Sequence, residues 1–281
     1  MDTPIYPCLW FDGTAREAAE LYTSLFENSR ITQDNGLVVN FEVESFKIMG
    51  LNGGPMFKIT QSLSLYVTCE SDEEIDRLHD GLIRGGSSMI PLGAYPWSPR
   101  YAWIADRYGM TWQLSKGELP AGEAKIMPSF LFVGNQFGNA QRAMTLYTSL
   151  FPESGIQHQE LYGPNEGPMA GSLKFGQFTL FRSPFAAMDG YGEHSFAFSE
   201  GVSLVVECRD QNEIDLYWNT LISNGGEESQ CGWLKDPFGV SWQIIPKDLS
   251  TWMSDPLKGP QVMQRLLKMR KLIISQLDGS E

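Results

Sequence analysis

The spacing of apolar residues near the N-terminus predicts a helix between strands. Residues 14–26, TAREAAELYTSLF, place apolar side chains three and four positions apart, which is the spacing of one helix face. Thr14 is positioned to cap this helix, with Glu17 three residues later as its capping-box partner. A short apolar run at 8–11 predicts a strand before the helix, and the alternation of apolar and polar residues over 39–44 predicts another after it.

The following stretch repeats this order of elements. Residues 62–69, SLSLYVTC, predict a strand, and Ser71 followed by Glu74 predicts the start of a second helix. Two further strands are predicted on either side of a turn at Tyr108 and Gly109. The predicted order is therefore a strand, a helix and further strands, and this order occurs twice. We call each occurrence a βαβββ module.

Three segments recur later in the chain in the same order. They are LYTSLF at 21–26 and 146–151, CESDEEID at 69–76 with CRDQNEID at 208–215, and Trp-Gln at 112–113 and 242–243. Six consecutive identical residues and two further matches indicate an internal duplication. We expect four modules in two copies, with domains at 1–118 and 124–247. A tail at 248–281 follows, in which residues 261–277 predict one basic amphipathic helix.

Charge and composition exclude several classes of partner. The formal net charge is −13, which disfavours binding to nucleic acid because that binding needs basic surfaces. The chain has no apolar run of about 20 residues and no basic leader before one, so we expect a cytoplasmic protein without membrane contact. The four cysteines lie far apart without a C-x-x-C pair, which predicts free thiols.

Several strings in the sequence resemble a known family. LWFDG, AAELYTSLF and CGWLKDPFGVSWQIIP are similar to the PhnB-like branch of the vicinal oxygen chelate superfamily, a branch often labelled 3-demethylubiquinone 3-methyltransferase-like. The resemblance implies an α+β fold in which the four βαβββ modules form two glyoxalase-like cupped sheets in tandem, each around a small-molecule cavity. It also implies that the two copies pack as a pseudo-dimer within one chain, with further homo-oligomerisation left open.

The resemblance raises the question of a metal. Metal-using relatives carry a glutamate at the end of a D-P-x-G-x-x-x-E pattern, where this chain has Gln113 and Gln243. The family's other ligand positions fall near Pro7 or Cys8, near Pro128 or Ser129, and near Ser62 and Gly201. Divalent metal sites favour imidazole and carboxylate ligands. We therefore expect neither a metal nor another cofactor.

Gln113 and Gln243 leave two interpretations open. Each amide could satisfy buried backbone groups, or it could bind a ligand, because an amide both donates and accepts hydrogen bonds. In the second case the ligand-binding residues are Trp10, Phe11, Tyr101, Trp103, Gln113, Trp233 and Gln243. Trp112 and Trp242 fall on the opposite face of their strands, where core packing is expected. Asp106 and Asp236 precede hairpin turns and are expected to hold them.

Two residues are candidates for catalysis. Cys231 opens the CGW segment, although a reactive thiol needs a neighbouring base or positive charge and no histidine is close in sequence. Its alternative role is that of a small buried apolar residue. His194 lies in a loop before a strand, where it could overhang a cavity and act in acid–base chemistry.

Three functions remain open on the sequence alone. The first is metal-independent binding of a small molecule of unknown identity. The second is a glyoxalase- or dioxygenase-like lyase or isomerase with a cryptic metal or acid–base site, so enzymatic activity stays undecided. The third is a scaffold whose cups are filled by side chains. Methyl transfer is disfavoured, because no glycine-rich loop follows an early strand at the head of a helix.

Overall fold

The computed structural model describes residues 4–280 and has an α+β fold. The strands within these residues are β1 (Ile5–Phe11), β2 (Arg30–Asp34), β3 (Val38–Val43), β4 (Phe46–Asn52), β5 (Leu63–Cys69), β6 (Ser87–Tyr95), β7 (Ser98–Ala105), β8 (Thr111–Lys116), β9 (Ile126–Val133), β10 (Gly155–Leu161), β11 (Leu173–Leu180), β12 (Ser183–Gly190), β13 (Val202–Cys208), β14 (Glu227–Glu228), β15 (Trp233–Lys235) and β16 (Ser241–Pro246). The helices are α1 (Ala15–Leu25), α2 (Asp72–Leu82), α3 (Ala140–Leu150), α4 (Gln211–Ile222), α5 (Leu249–Ser254), α6 (Gly259–Leu266) and α7 (Ile274–Asp278).

The order of elements is βαβββ four times, as the sequence predicts. β1 to β4 with α1 form the first module, and each later module repeats this order with its own helix after its first strand. The strands build two eight-stranded sheets. The prediction of an α+β fold with four such modules is confirmed.

The chain divides into two compact units. The larger unit is Pro7–Val202, and the smaller unit combines the described residues up to Tyr6 with those from Ser203 onward. One complete sheet lies in the larger unit, in the order β10-β11-β12-β9-β5-β8-β7-β6. At its centre β5 and β9 are antiparallel, with Ser64 opposite Ser129, so modules two and three meet along this strand pair.

The remaining strands lie partly in the smaller unit and partly in the larger one. In the smaller unit the strand order is β14-β15-β16-β13, followed by the first residues of β1. There the backbone N–H of Glu207 donates to the carbonyl of Pro4 at 2.8 Å. In the larger unit the order is β1-β4-β3-β2, with β1 and β4 parallel. The domain boundaries 1–118 and 124–247 stay a prediction.

The first two helices begin where the sequence predicts, but their caps differ. Ser71 Oγ accepts the backbone N–H of Glu74 at 3.1 Å and caps α2 as expected. Thr14 precedes α1 but its side chain makes no capping bond, so that prediction is wrong. Asn52 Oδ1, at the end of β4, accepts the backbone N–H of Ala15 at 3.0 Å instead. Thr14 has φ −106° and ψ 12°, which is not the extended backbone that an N-cap usually adopts.

The hairpin aspartates hold their turns as predicted. Asp106 Oδ1 accepts the backbone N–H groups of Tyr108 at 2.8 Å and Met110 at 3.1 Å. Its other oxygen accepts the Trp112 indole N–H at 2.8 Å and the Tyr22 hydroxyl at 2.7 Å. Through these last two hydrogen bonds the turn contacts the helix-bearing face of the sheet. The sequence did not predict these two bonds. Burial raises the pKa of Asp106 despite these hydrogen bonds.

The second aspartate repeats the first. Asp236 Oδ1 accepts the backbone N–H groups of Phe238 at 2.9 Å and Val240 at 3.1 Å, and Oδ2 accepts the Trp242 indole at 2.9 Å. Trp242 is fully buried, as its expected core role requires. Both aspartates thus accept the same three hydrogen bonds, two from backbone N–H groups of the turn and one from a tryptophan indole. This agreement supports the internal duplication.

The tail does not form the single helix predicted for residues 261–277. It consists of the short helices α5, α6 and α7. Between α6 and α7 the backbone carbonyls of Met269 and Arg270 accept the N–H groups of Cys231 at 2.7 Å and Gly232 at 2.8 Å. These bonds use the carbonyls that a continuous helix would need. The apolar side of the tail packs around Leu249, Val262, Leu272 and Leu277.

Candidate functional site

The candidate site lies on one face of the sheet in the larger unit. On β8 the ring of Trp112 contacts Tyr22 of α1, with centroids 5.0 Å apart, which places Trp112 on the helix-bearing face. Neighbouring strand residues point to opposite faces, so Gln113 lies on the other face, which we call the cup face. Strand register adds the residues that share it with Gln113: Ser64, Tyr66, Tyr101, Trp103 and Ser129.

Gln113 is the centre of a buried hydrogen-bond network. Its Oε1 accepts the Tyr101 hydroxyl at 2.8 Å. Its Nε2 donates to Ser64 Oγ at 2.6 Å and to Ser129 Oγ at 3.4 Å. The four side chains come from four adjacent strands and are each at most 5% exposed. The partners of Gln113 are therefore side chains on the cup face rather than the backbone groups of the first sequence interpretation.

Two phenols lie on this face beside the amide. Tyr66 pairs with Gln113 in the parallel β5–β8 register, and its ring lies 6.3 Å from that of Phe175 on β11. Burial raises the pKa of Tyr66, although a hydrogen bond from Ser115 acts in the opposite direction. Burial also raises the pKa of Tyr101. Both hydroxyls are therefore neutral donors near pH 7.

Trp103 carries a buried donor that has no partner. It lies opposite Gln113 in the β7–β8 register and so shares the cup face. Its indole Nε1 is inaccessible to solvent and finds no hydrogen-bond acceptor within the part of the chain that the structure describes. Buried N–H groups are nearly always paired with protein or ordered water, so we expect this indole to donate to an acceptor from outside the chain.

The smaller unit contains the counterpart of the Ser–Gln pair. Gln243 Nε2 donates to Ser203 Oγ at 2.9 Å, as Gln113 does to Ser64. Trp233 lies opposite Gln243 in the β15–β16 register and occupies the position of Trp103. Neither serine was singled out from the sequence. The available signal was that Ser64 and Ser203 both stand five residues before the matched cysteines Cys69 and Cys208.

The two remaining aromatic candidates lie elsewhere in the larger unit. Trp10 is half-buried, and its indole N–H donates to the carbonyl of Gly54 at 2.7 Å. Phe11 follows it on β1 and therefore points to the opposite face, where its ring lies 6.4 Å from that of Tyr108. The structure does not bring either residue into the Gln113 network.

The two catalytic candidates have different surroundings. Cys231 is partly buried, and burial raises the pKa of its thiol. His194 is exposed, and its ring centroid lies 5.1 Å from that of Phe196. Its Nε2 is 3.4 Å from where a Cβ on Gly190, at the end of β12, would stand. The histidine thus lies near the end of this sheet, outside the Gln113 network.

The cup face does not supply the ligands that a divalent metal prefers. Within residues 4–280, no group of three or more histidine, cysteine, aspartate or glutamate side chains is placed to hold a metal ion. At the centre of the face stand the hydroxyls of Ser64 and Ser129 and the amide of Gln113, whose oxygen already accepts from Tyr101. Neutral serine hydroxyls and an engaged amide are poor ligands for such a metal. The residues present do not fit the superfamily's metal.

The structure contains no helix that could span a membrane. Across residues 4–280, every helix is too short or too polar to cross a bilayer.

Comparison with known proteins identifies the family. The family model described as 3-demethylubiquinone-9 3-methyltransferase matches residues 3–115 and again 124–245. No curated protein matches the chain. Among solved structures, a putative 3-demethylubiquinone-9 3-methyltransferase, PhnB protein, from Bacillus cereus is 36% identical, with 40% of this chain and 98% of that chain covered and a TM-score of 0.38. A protein from Staphylococcus aureus is 31% identical, with 42% of this chain and all (100%) of that chain covered and a TM-score of 0.20.

The fold is also found in a solved structure that matches most of this chain. Glyoxalase I from Zea mays is 10% identical, covers 86% of this chain and 91% of its own, and has a TM-score of 0.56. At that identity the likeness concerns the fold alone, and it supports two glyoxalase-like repeats in one chain. The two family matches together span most of the sequence. The chain belongs to the PhnB-like family described as 3-demethylubiquinone-9 3-methyltransferase, duplicated in tandem on a glyoxalase-like fold.

Proposed function

We propose that this protein binds a small molecule without a metal, on the cup face of the larger unit. The observation that carries the proposal is the Gln113 network. Polar side chains from four strands converge at the centre of a sheet, where a folded protein ordinarily buries apolar residues. Small-molecule sites combine a few such polar groups with apolar walls, which Tyr66, Phe175 and Trp103 supply here.

The family's name does not determine the activity. A methyltransferase that uses S-adenosylmethionine on a Rossmann-type fold needs a glycine-rich loop between an early strand and a helix. In this chain the first strand leads into α1 through Asp12, Gly13 and Thr14, which do not form such a loop. Membership of a fold or family does not determine the reaction, because the reaction depends on the residues of the site. Binding without methyl transfer is the proposal that these residues support.

Native mass spectrometry of the protein purified without chelators tests metal independence. We expect the mass of the apoprotein, with or without a retained organic molecule, and no tightly bound Zn²⁺, Ni²⁺ or Mn²⁺ when each is added at equimolar amounts. The triple variant Ser64→His, Ser129→His, Gln113→Glu is the positive control, because it places two imidazoles and a carboxylate at the centre of the face. Stoichiometric metal on the unaltered protein would overturn the proposal.

A second candidate is an isomerase that moves a proton beside a carbonyl group. It is favoured by the position of His194, whose Nε2 lies near Gly190 at the end of β12. Incubation with acetophenone in D₂O, followed by NMR, would report exchange of its methyl protons for deuterium. Faster exchange with the unaltered protein than with His194→Gln would support this candidate, and equal exchange would oppose it.

A further inference from the structure

The Gln113 network contains more donor hydrogens than its own hydrogen bonds use. The Tyr101 hydroxyl, the two hydrogens of the Gln113 amide and the hydroxyls of Ser64 and Ser129 supply about five donor hydrogens. The three hydrogen bonds of the network use three of these. Two hydrogens are left over, and turning the amide by 180° moves them to other atoms without changing their number. With Nε2 facing the serines, the surplus hydrogens belong to Ser64 and Ser129.

No acceptor within residues 4–280 takes these hydrogens. The hydroxyls of Ser64 and Ser129 accept from Gln113, and neither donates to another group among those residues. Both serines are 1% exposed, so bulk water does not reach them freely. A buried donor without an acceptor is destabilising. The acceptor that these hydrogens need therefore comes from outside the chain, either an ordered water or a ligand.

Trp103 adds a third surplus donor on the same face. Its Nε1 is buried and has no acceptor within the described residues. Trp103 is paired with Gln113, and Ser64 is paired with Ser129, so all of these donors share one face of adjacent strands. The face thus presents several donor hydrogens that no group among residues 4–280 accepts, and Ser62, two residues before Ser64, adds a further buried hydroxyl without a partner. A ligand that complements these donors offers hydrogen-bond acceptors at this end.

The charge of the face restricts the ligand further. The network consists of neutral groups, and within the described residues no lysine or arginine hydrogen-bonds to it. A carboxylate placed here would lose its hydration without gaining a cation, which is unfavourable in a buried site. The adjacent rings of Tyr66 and Phe175, 6.3 Å apart, offer apolar area for a planar group.

We propose, resting on the proposed binding function, that the cup face recognises a neutral aromatic ketone or similar planar carbonyl compound, whose oxygen accepts from Ser64 and Ser129. The serines then take the place of a metal as the groups that hold the carbonyl oxygen. Trp103 donates to a second acceptor of the ligand or to the same oxygen. Met127 flanks Ser129 on this face and is flexible enough to give the ligand access by changing rotamer.

Three matched probes test the proposal by NMR of protein with ¹⁵N-labelled tryptophan side chains. Acetophenone has a carbonyl, ethylbenzene has the same size without an acceptor, and benzoate has charged oxygens. We expect acetophenone to bind about tenfold more tightly than ethylbenzene, because two hydrogen bonds each contribute a severalfold gain. Benzoate should bind more weakly than acetophenone. Acetophenone should also shift the Trp103 indole resonance, assigned with Trp103→Phe.

Variants separate the network from the rest of the molecule. Ser64→Ala with Ser129→Ala should reduce acetophenone to the affinity of ethylbenzene, whereas the matched Ser203→Ala in the smaller unit should leave it unchanged. If Ser64→Ala with Ser129→Ala does not fold, Trp103→Phe tests the third donor. It should weaken the binding of acetophenone and leave that of ethylbenzene unchanged, and an equal effect on both probes would oppose the inference. Equal binding of acetophenone and ethylbenzene, or tighter binding of benzoate, would overturn this inference while leaving small-molecule binding intact. If no probe binds and no organic molecule is retained, both proposals fail.

Discussion

Removal of the Asp106 carboxylate should destabilise the larger unit strongly. Its Oδ2 accepts the Tyr22 hydroxyl at 2.7 Å and the Trp112 indole at 2.8 Å. Both donors are fully buried, so neither can turn to solvent in Asp106→Ala. A buried donor left without its acceptor costs about 1–3 kcal/mol, and two such donors predict a loss of about 2–6 kcal/mol in the free energy of unfolding. Loss of the two turn bonds from Oδ1 adds to this.

Urea unfolding followed by tryptophan fluorescence and circular dichroism measures the effect. The same substitution in a Tyr22→Phe background should cost about 1–3 kcal/mol less, because one donor has already been removed. Asp12→Ala, which alters an exposed side chain, serves as the control and should change the stability by less than about 0.5 kcal/mol. The reasoning is refuted if Asp106→Ala stays within about 1 kcal/mol of the unaltered protein, or costs the same in both backgrounds.

Three further predictions concern other parts of the chain. In Gly201→Ala the new Cβ would stand 2.1 Å from the carbonyl oxygen of Lys58, so thermal unfolding should show a loss of about 1–3 kcal/mol, and an unchanged midpoint would contradict this close contact. The thiol of Cys231 should react with iodoacetamide more slowly at pH 7 than free cysteine does, and its rate should keep rising to a higher pH, because burial raises its pKa and leaves less thiolate. Equal rates would show that the thiolate is stabilised. Gln211 hydrogen-bonds to backbone groups in residues 272–274, so Gln211→Ala should accelerate hydrogen exchange there more than in α4, and uniform exchange would show that the side chain does not hold the tail.

The fold could be predicted from the sequence because its elements are local and repeated. The spacing of apolar residues located the helices, and the recurring Trp-Gln segment located the hairpins of both copies. The turn role of Asp106 was predictable, since an aspartate two residues before the central turn residue acts through its nearest backbone groups. Its bond to Tyr22 was not, because 84 residues separate the two.

The candidate site depends on pairings that the sequence pattern does not specify. Gln113 and Tyr101 were recognised as candidates, but their hydrogen bond follows from the register of β7 against β8. Ser129 reaches the network because β9 pairs with β5, which joins the second module to the third. The tail shows the same limit: residues 261–277 have helical periodicity, yet bonds to Cys231 and Gly232 interrupt the helix. Long-range hydrogen bonds decided each of these outcomes.

The two copies differ at one position of the candidate site, where the first copy has a tyrosine and the second has a cysteine. Tyr101 stands two residues before Trp103, and Cys231 stands two residues before Trp233, so a phenol in one copy corresponds to a thiol in the other. The Oε1 of Gln113 is occupied by that phenol, whereas the Oε1 of Gln243 accepts no hydrogen bond from any group within residues 4–280. Gln243 therefore keeps both lone pairs of its amide oxygen available, whereas one lone pair of the Gln113 oxygen is engaged. Duplication has given one polypeptide two related amides whose oxygens are engaged differently, so the ligand proposed for one copy would be a poorer match for the other.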